Sequence, residues 1–395
     1  MVPVRSGGQQ AFLLRDPQRL SRAEIVVPAD LAYLLSLLDG SRTLREAQLG
    51  YVRRFGSLLT TERIKQLLDQ LDEALLLDSE RSRQAQAEIE AAFRARPTRA
   101  AAHAGQSYPE SAAAFIREWD RRLASASPPN DFALDPRRPA LILPHYDLRA
   151  AAEAYAAGYA LLARVPPPEV VVILGIAHQG AQAPFTLTRK PFETPFGALE
   201  ADEAIITRLS EDAPFDPFAQ EPLHRDEHSV EFQAVLLHCL FRDRPAPPRI
   251  VPVLCGSHQP DQGTVTEPAY KEMTVWFLTK LREALLKDPR AIAVIASADL
   301  SHIGARFGQP PCTQVHLDLA RRHDLALLAL AQTGDAAGLE RLATESGDRY
   351  NVCGLPAIYA LCRLLPITQG RLLSYRQAPE PHTGSCVSFA ALALR

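Results

Sequence analysis

The sequence lacks the features that define several large protein classes. No apolar run approaches the ~18 residues that a membrane span needs, and the N-terminal residues have no apolar core with a small-residue cleavage site like that of a signal peptide. We therefore expect a cytoplasmic protein without membrane contact. The formal net charge of -3 provides no overall basic field that would attract nucleic acid, so no nucleic-acid partner is expected either.

Short motifs that would define a common chemistry are also absent. The six cysteines have no CxxC spacing, which argues against a disulfide framework and against a structural zinc site. The sequence has no glycine-rich phosphate loop and no GxSxG elbow, so nucleotide binding and a serine nucleophile are disfavoured. Its 395 residues, 47% hydrophobic and 23% charged, are ordinary for a folded protein with one large core and a smaller module.

Residues 1–80 predict a small winged-helix-like module. A segment with hairpin character leads into the run PADLAYLLSLL, whose apolar residues recur at helical spacing. Thr43 is placed to cap a second helix, and a third helix carries one apolar face and is expected to end in a short strand at 75–77. Residues 81–97 are polar, alanine-rich and free of glycine, so we expect a helical linker.

Residues 98–395 predict a second, larger domain of the α/β class. The runs RPALILPH, EVVVILGIAH, RIVPVLCG and AIAVIASADLSH have the composition of strands that are buried on both faces. This alternation predicts a sandwiched, mainly parallel or mixed sheet with helices on both faces. Two late runs, GRLLSYRQA and SCVSFAALAL, are expected to pair antiparallel at one edge. Amphipathic helices are expected between and after the strands, at 148–163, 201–210, 228–241, 268–287 and 315–333.

Polar side chains stand at the end of each predicted core strand. In open α/β sheets, ligands bind outside the carboxyl ends of the strands. Imidazole, carboxylate and thiolate groups that converge there from separate strands can hold a divalent metal. A single histidine at a strand end fits a surface hydrogen bond equally well, but the pattern recurs at all four ends. These residues are His145 with Asp147, His178, Cys255 with His258, and Asp299 with His302.

Two further segments carry candidate groups, each with a structural alternative. In HRDEHSVEFQAVLLH, Glu227 and His228 could serve a site, or Asp226 could cap a helix whose first turn leaves Glu227 and Glu231 solvated. Cys353 precedes a glycine at a predicted helix N-terminus, where unpaired N–H groups favour a thiolate that suits a metal ligand or a nucleophile. A small buried cysteine is the alternative. The helical positions of two other histidines, His316 and His323, predict that both lie at the surface.

The ordered blocks LPHYDLRAAAEAYA, VVILGIAHQG, DEHSVEFQAVLL, IASADLSHIG and VCGLPAIYAL resemble the Memo family, whose bacterial branch is AmmeMemoRadiSam system protein B. The resemblance covers about residues 98–395. It implies a fold similar to the catalytic subunits of class III non-haem iron extradiol dioxygenases. It also implies a metal pocket of two histidines and one cysteine, which by block matching are His145, His178 and Cys353.

The same resemblance implies roles for the residues around that pocket. Glu227, His228, Asp299 and His302 are expected to support the ligands or to move protons, with His302 the leading general acid/base. Iron(II) is the expected metal and copper the second choice, because soft nitrogen and sulfur ligands suit them better than magnesium or calcium. The implied activity is that of a dioxygenase-like oxidoreductase that activates O2. A non-catalytic metal- or peptide-binding scaffold, and a metal-independent hydrolase with Cys353 as nucleophile, are the alternatives.

The sequence departs from the Memo family pattern at two positions, and its N-terminal module has a weaker resemblance of its own. The family's PHAGY is PHYDL in this sequence, which introduces Asp147, and Gln179 stands where the family often repeats histidine. The N-terminal module is similar to PqqD-like winged-helix domains, which capture peptides for radical-SAM partners. The resemblances imply a radical-SAM enzyme and an AMMECR-type protein as partners, with a peptide substrate held by the N-terminal module.

Overall fold

The computed structural model describes residues 1–6, 8–16, 19–257 and 265–395. The chain divides into two compact units. The first unit comprises Met1–Phe93 together with Gly304–Pro311 and Pro381–Ser385. The second unit comprises the rest of the described chain, so all seven residues predicted for the metal pocket belong to it.

The first unit combines a small sheet with helices. Strands β1 and β2, and strands β2 and β3, pair antiparallel. Thr43 caps the second helix, as predicted, in a capping box with Glu46. Its strands and helices are β1 (Val2–Ser6), β2 (Gln9–Leu14), β3 (Ile25–Pro28), α1 (Ala29–Ser36), α2 (Leu44–Phe55), α3 (Thr61–Glu73) and α4 (Glu80–Ala95), the last of which runs into the second unit.

The predicted strand at 75–77 is wrong. Leu75 has φ 57°, a left-handed conformation that ends α3, and the Leu76 N–H donates back to the Leu71 carbonyl at 2.8 Å. Leu76 and Leu77 then pack against the small core around Leu71. The apolar run therefore covers a helix end instead of pairing in a sheet.

The second unit contains a mixed sheet whose centre is parallel. Strand order is β11-β13-β4-β10-β5-β9-β6, with β12 paired to β13. The pairs β4–β10, β10–β5 and β5–β9 are parallel, whereas β13–β4 and β6–β9 are antiparallel. The strands are β4 (Ala140–Leu143), β5 (Val170–Ile176), β6 (Phe185–Leu187), β7 (Phe192–Thr194), β8 (Gly197–Leu199), β9 (Arg249–Cys255), β10 (Ile292–Ser297), β11 (Asp299–Gly304), β12 (Gly370–Glu380) and β13 (Ser385–Leu394).

The five helices that the hydrophobic periodicity predicts are present, with ends that shift by a few residues, whereas two others, Ala112–Ser125 and Ala336–Ser346, were not predicted. None of the described helices is long and apolar enough to cross a membrane. Two 3-10 helices span Glu221–His224 and Ala305–Phe307, the latter in the first unit. The α-helices are α5 (Ala112–Ser125), α6 (Ala152–Leu162), α7 (Glu203–Ser210), α8 (His228–Leu240), α9 (Glu267–Lys287), α10 (Gln314–Gln332), α11 (Ala336–Ser346) and α12 (Leu355–Leu364).

The central sheet is covered on both faces, as the apolar strand composition predicts. Alternate residues of β5 enter different hydrophobic clusters, with Val172 in the cluster that includes α9 and α12 and Val171 in the cluster that includes α6 and α8. The mixed α/β fold with a mainly parallel sheet centre is thereby confirmed. The two late strands pair as expected, but β13 lies inside the sheet beside β4 instead of at its edge.

Candidate metal centre

Three adjacent parallel strands deliver polar side chains to one edge of the sheet. His145 follows β4 by two residues, His178 follows β5 by two, and Asp299 follows β10 by two. Because β10 pairs with both β4 and β5, the carboxyl ends of these strands are neighbours. The imidazole rings of His145 and His178 lie with their centroids 4.8 Å apart. The convergence that the strand ends predicted is therefore present.

His145 is held as a neutral imidazole with one nitrogen available. Its Nδ1 donates to the Ser297 carbonyl at 2.9 Å, which fixes both the ring and the tautomer. Burial and the nearby charge of His178 lower the pKa of His145 to about 3. Its Nε2 lies 3.2 Å from the Sγ of Cys353. His145 thus presents an unprotonated nitrogen to the cluster at neutral pH.

Glu227 orients two histidines at once. It occupies the N-cap of α8, where its carboxylate accepts from the Ser229 N–H at 2.9 Å. The same carboxylate lies 3.0 Å from Nδ1 of His178 and 3.2 Å from Nδ1 of His228. The two rings stack at 4.8 Å with an interplanar angle of 15°. The carboxylate is hydrogen-bonded to Nδ1 of His178, the arrangement found behind metal-bound histidines, in which Nε2 is the ligand atom.

The electrostatics of this group favour an ionised carboxylate. Burial opposes charge on Glu227, yet the charge of His178 and hydrogen bonds from His178 and the Ser229 N–H hold the pKa of that carboxyl well below its usual range. Burial also opposes charge on His178, but Glu227 and the Cys353 contact raise the pKa of this imidazole well above its usual range. Burial lowers the pKa of His228 well below its ordinary value. His178 and Glu227 therefore form an ion pair beside two neutral imidazoles.

Cys353 reaches the cluster from the loop before α12. Burial raises the pKa of its thiol, and His178 offsets that effect only in part. Burial thus opposes the thiolate that a helix N-terminus favours. A bound metal would displace the thiol proton, as it must for cysteine to act as a ligand.

Gly354 fixes the position of Cys353. A methyl group at this glycine would lie 2.3 Å from the Asp299 carbonyl oxygen and 2.5 Å from Cβ of Ala298. We expect Gly354→Ala to push the start of α12 off the sheet, to destabilise the protein by about 1–3 kcal/mol and to weaken metal binding. Gly50→Ala, whose methyl group would meet only the end of the Leu37 side chain, is the control. Equal metal affinity for both variants, measured by competition titration, would contradict this role.

The arrangement brings most of the predicted residues together. Ligand atoms of His145, His178 and His228 all lie within 4.8 Å of one another, so His228, expected as an acid/base group, is also a candidate ligand. Cys353 joins them through His145. Cys255 is buried in β9, and His258 lies outside the described residues.

Asp299 anchors the loop that carries His145. Its Oδ1 accepts from the backbone N–H groups of His145 at 3.0 Å and Tyr146 at 3.1 Å, and its Oδ2 lies 3.6 Å from Nε2 of His145. Burial raises the pKa of Asp299 to about 6, against the opposing charge of His302 and these two hydrogen bonds. This carboxyl group can therefore exchange a proton near neutral pH.

The raised pKa of Asp299 predicts a pH-dependent stability difference. Between its ordinary value of 3.8 and about 6, the folded chain keeps a proton that the unfolded chain releases, so wild type loses stability as pH rises. Asparagine can still accept both N–H groups but cannot ionise. Between pH 4 and pH 7 we expect the unfolding free energy of metal-free Asp299→Asn to rise by about 2 kcal/mol relative to that of wild type. Urea unfolding at both pH values measures this, and a constant difference would contradict the assignment.

His302 belongs to β11, beside Asp299. Its Nδ1 lies 2.9 Å from the Leu300 carbonyl, its backbone N–H donates to the Tyr350 carbonyl at 2.7 Å, and its own carbonyl accepts from Asn351 Nδ2 at 2.9 Å. Its charge lowers the pKa of both Asp299 and His145. Hydrogen bonds thus tie His302 to the loop that leads to Cys353.

The expectation of a solvated first turn in α8 is wrong. Glu227 is only 4% exposed and Glu231 only 1%, and the N-cap is Glu227, not Asp226. Glu231 forms an ion pair with Arg99, which is fully buried. Arg99 also donates to the Glu227 carbonyl at 2.7 Å, so it holds the residue that orients the histidines. Sequence reasoning missed Arg99, since its partners lie more than a hundred positions away.

The two departures from the family pattern differ in their exposure. Asp147 is exposed, and its Oδ1 accepts from the N–H groups of Arg149 and Ala150, both at 2.9 Å. This carboxylate thus organises the turn that leads into α6. Gln179 is partly buried.

A cavity of about 620 Å³ adjoins the cluster. His178 and Cys353 line it together with His323 and Tyr350. The side chain of His323 is only 8% exposed, so the prediction that His323 lies at the surface is wrong, whereas His316 is exposed as predicted. The cavity gives small molecules a place beside two of the candidate ligands.

Three clustered imidazoles and a thiol at the carboxyl edge of a mixed sheet define a candidate metal-binding protein of the α/β class. Residues 99–393 match the family described as Memo-like protein, and the chain belongs to this family, which confirms the resemblance. It is 28% identical over 384 residues to a MEMO1 family protein of Aquifex aeolicus, covering 96% of this chain and 95% of that one.

Two further proteins are similar to this chain. The chain is 30% identical over 357 residues to a MEMO1 family protein of Thermus thermophilus, covering 89% of this chain and 99% of that one. The crystal structure of an uncharacterized protein from Escherichia coli K12 matches with a TM-score of 0.38 and 16% identity, covering 65% of this chain and 99% of that one. A TM-score this low carries no argument about the fold.

Proposed function

We propose that this protein is a metal-dependent oxidoreductase whose metal is held by His145, His178 and Cys353, with His228 as a fourth candidate ligand. One observation carries the proposal. Nδ1 of His145 is hydrogen-bonded to Ser297 and Nδ1 of His178 to Glu227, and Nδ1 of His228 lies 3.2 Å from the same carboxylate. Nε2 of each ring is therefore the atom that would bind a metal, which would displace the Nε2 proton of His178. Three separate elements supply these donors, as a rigid metal site requires.

The donor set favours a redox-active metal. Imidazole and thiolate ligands suit iron(II) or copper better than magnesium or calcium, which prefer oxygen ligands. We propose iron(II) first and copper second. When bound, iron(II) would supply the one-electron chemistry with O2 that no side chain provides.

The chain's own residues would hold the site and move protons. Glu227 keeps His178 and His228 oriented, and Ser297 does the same for His145. Asp299, whose pKa burial raises to about 6, is one proposed proton carrier, because a useful acid/base group titrates near the working pH. His302, on β11 beside Asp299, is proposed as the other.

Metal content and O2 uptake test the proposal. Protein purified without oxygen is expected to contain about one iron or copper per chain, by the single-site argument above. With ascorbate as the electron donor, O2 uptake should depend on the metal and fall in Cys353→Ser. Cys239→Ser, a buried cysteine elsewhere in the fold, is the matched control. Uptake that persists after chelation, or that Cys353→Ser leaves unchanged, would contradict the oxidoreductase.

A non-catalytic scaffold that binds metal or peptide is the second candidate function. Its support is the completeness of the polar network, in which Cys353 contacts His145 and Glu227 satisfies two histidines. Metal binding without O2 uptake would favour it. The hydrolase alternative has less support, because burial raises the pKa of the Cys353 thiol and a nucleophilic cysteine needs a lowered pKa.

We further propose the partners that the family resemblance implies. These are a radical-SAM enzyme, an AMMECR-type protein, and a peptide held by the N-terminal module. Copurification of the tagged full chain with each protein partner tests this proposal. Failure to copurify with either, under conditions in which the chain is folded, would argue against it.

A further inference from the structure

The loop between α11 and α12 contains two residues with left-handed backbone conformations that are not glycine. Asp348 has φ 55° and Asn351 has φ 44°. Residues with a Cβ rarely adopt this conformation, and asparagine and aspartate are among those that tolerate it. Asn351 stands two positions before Cys353, so the direction in which the chain leaves Asn351 determines where the thiol lies.

Three hydrogen bonds hold this loop against β11. The Gly354 N–H donates to the Asp299 carbonyl at 3.1 Å. The His302 N–H donates to the Tyr350 carbonyl at 2.7 Å. Both of these bonds join backbone groups, whereas the third comes from a side chain: Nδ2 of Asn351 donates to the His302 carbonyl at 2.9 Å. Of the three bonds, only the third depends on which residue type the loop carries.

The three imidazoles of the cluster can hold a divalent metal without the thiol. Ligand atoms of His145, His178 and His228 lie within 4.8 Å of one another, and three histidines with one open position form a sufficient ligand set. Cys353 approaches this group from the loop, with its Sγ 3.2 Å from Nε2 of His145. Whether sulfur joins the metal therefore depends on where the loop holds Cys353.

We propose that Asn351 is the positioning residue that gives this centre its sulfur ligand. Its side chain holds the loop on β11 and so keeps Sγ of Cys353 beside a metal that the imidazoles would bind without it. The inference rests on the proposed function, because it takes Cys353 as a metal ligand. Thiolate ligation favours softer metals, so Asn351 also supports the preference of the site for iron(II) or copper.

The protection of Cys353 against alkylation measures sulfur ligation. Cys353 is partly exposed and lines the cavity, so a small reagent can reach it. Full-length protein is loaded with cobalt(II) without oxygen and treated with iodoacetamide, and mass spectrometry follows the alkylation rate of each cysteine. A thiolate bound to metal is protected, so the ratio of the Cys353 rates in metal-free and cobalt-loaded protein reports how firmly the metal holds the sulfur.

Asn351→Gly keeps the left-handed backbone but removes the amide that bonds the His302 carbonyl. We expect the protection ratio to fall about fivefold, as the loss of one hydrogen bond predicts, while the cobalt content stays at the wild-type value because the imidazoles remain. Asn351→Asp keeps the backbone and the side-chain size but places an acceptor against the His302 carbonyl. This variant should lose protection as Asn351→Gly does.

Two controls separate this role from a general loss of stability. Asp348→Gly makes the same substitution at the other left-handed position of the loop and should keep the wild-type protection ratio. Three buried cysteines serve as internal controls, because unfolding would expose them, and they should react at wild-type rates in every variant. These are Cys239, Cys255 and Cys362.

Four results would overturn the inference. They are an unchanged ratio in either Asn351 variant, an equal fall in Asp348→Gly, faster alkylation of the buried cysteines, and loss of cobalt together with protection. The proposed ligand set fails in a different way. If cobalt does not protect Cys353 in wild type, both the ligand set and the inference are wrong, whereas wild-type protection that persists in the Asn351 variants overturns the inference alone.

Discussion

Replacing both His145 and His178 with alanine will abolish stoichiometric metal binding. The two imidazoles come from adjacent strands, and hydrogen bonds to Ser297 and Glu227 hold them in place. Loss of a single hydrogen bond behind a metal ligand typically lowers metal affinity about 10–100-fold, so loss of two ligands should exceed about 100-fold. Elemental analysis of protein purified without oxygen, followed by a competition titration, measures the change.

The control for this variant removes two histidines from the surface. His316 and His382 are both exposed, and their double alanine variant should keep the wild-type metal content. Circular dichroism establishes that both double variants are folded. Two results would contradict the assigned ligands. Either wild type and His145→Ala/His178→Ala both lack iron and copper, or both contain the same amount of metal.

Arg99→Met will destabilise the protein more than any other single substitution proposed for it. Arg99 is fully buried, pairs with Glu231 and donates to the carbonyls of His224 at 2.8 Å and Glu227 at 2.7 Å. Methionine leaves the Glu231 carboxylate buried without its cation. Breaking a buried ion pair in this way costs about 3–5 kcal/mol, and urea unfolding measures the loss.

Two further variants distinguish the effect of losing the ion pair from the effect of a general packing defect. The double variant Arg99→Met/Glu231→Gln has no unpaired carboxylate in the core. Its glutamine can still accept from the His103 N–H and pair with Tyr108. The double variant should therefore be closer to wild type in stability than Arg99→Met is. Arg371→Met breaks an exposed pair with Asp131 and should change stability by less than about 1 kcal/mol. Equal losses in Arg99→Met and in the double variant would contradict the electrostatic explanation.

The sequence predicts the strands of the central sheet well, because local composition decides their burial. The run at Val170–Ile176 is apolar and β-branched throughout, and all seven residues are buried. The position of β13 was missed, since strand order depends on pairing between distant segments. Asp299–Gly304 forms a separate strand, although its polar residues resemble a loop. Such features need the tertiary pairings that local propensity does not contain.

The candidate site, too, could be predicted only in part from the sequence. His145 and His178 follow from a general rule about strand ends, and Cys353 from the family resemblance. The burial of Glu227 and Glu231 could not be predicted from α8 alone, because it depends on Arg99, which is distant in sequence. Arg99 neutralises the Glu231 carboxylate and donates to the Glu227 carbonyl. The exposure of His323 was predicted wrongly for a related reason, since its ring stacks on Tyr350, which lies outside α10.

Anomalous scattering at the iron and copper absorption edges, from crystals grown without oxygen, tests the central claim most directly. The proposal predicts one strong peak within bonding distance of His145, His178 and Cys353, with His228 close by. Ligand distances of about 2.0–2.3 Å are expected for nitrogen and sulfur donors. Absence of a peak at this position in crystals of metal-supplemented protein, or a peak held by other residues, would contradict the account.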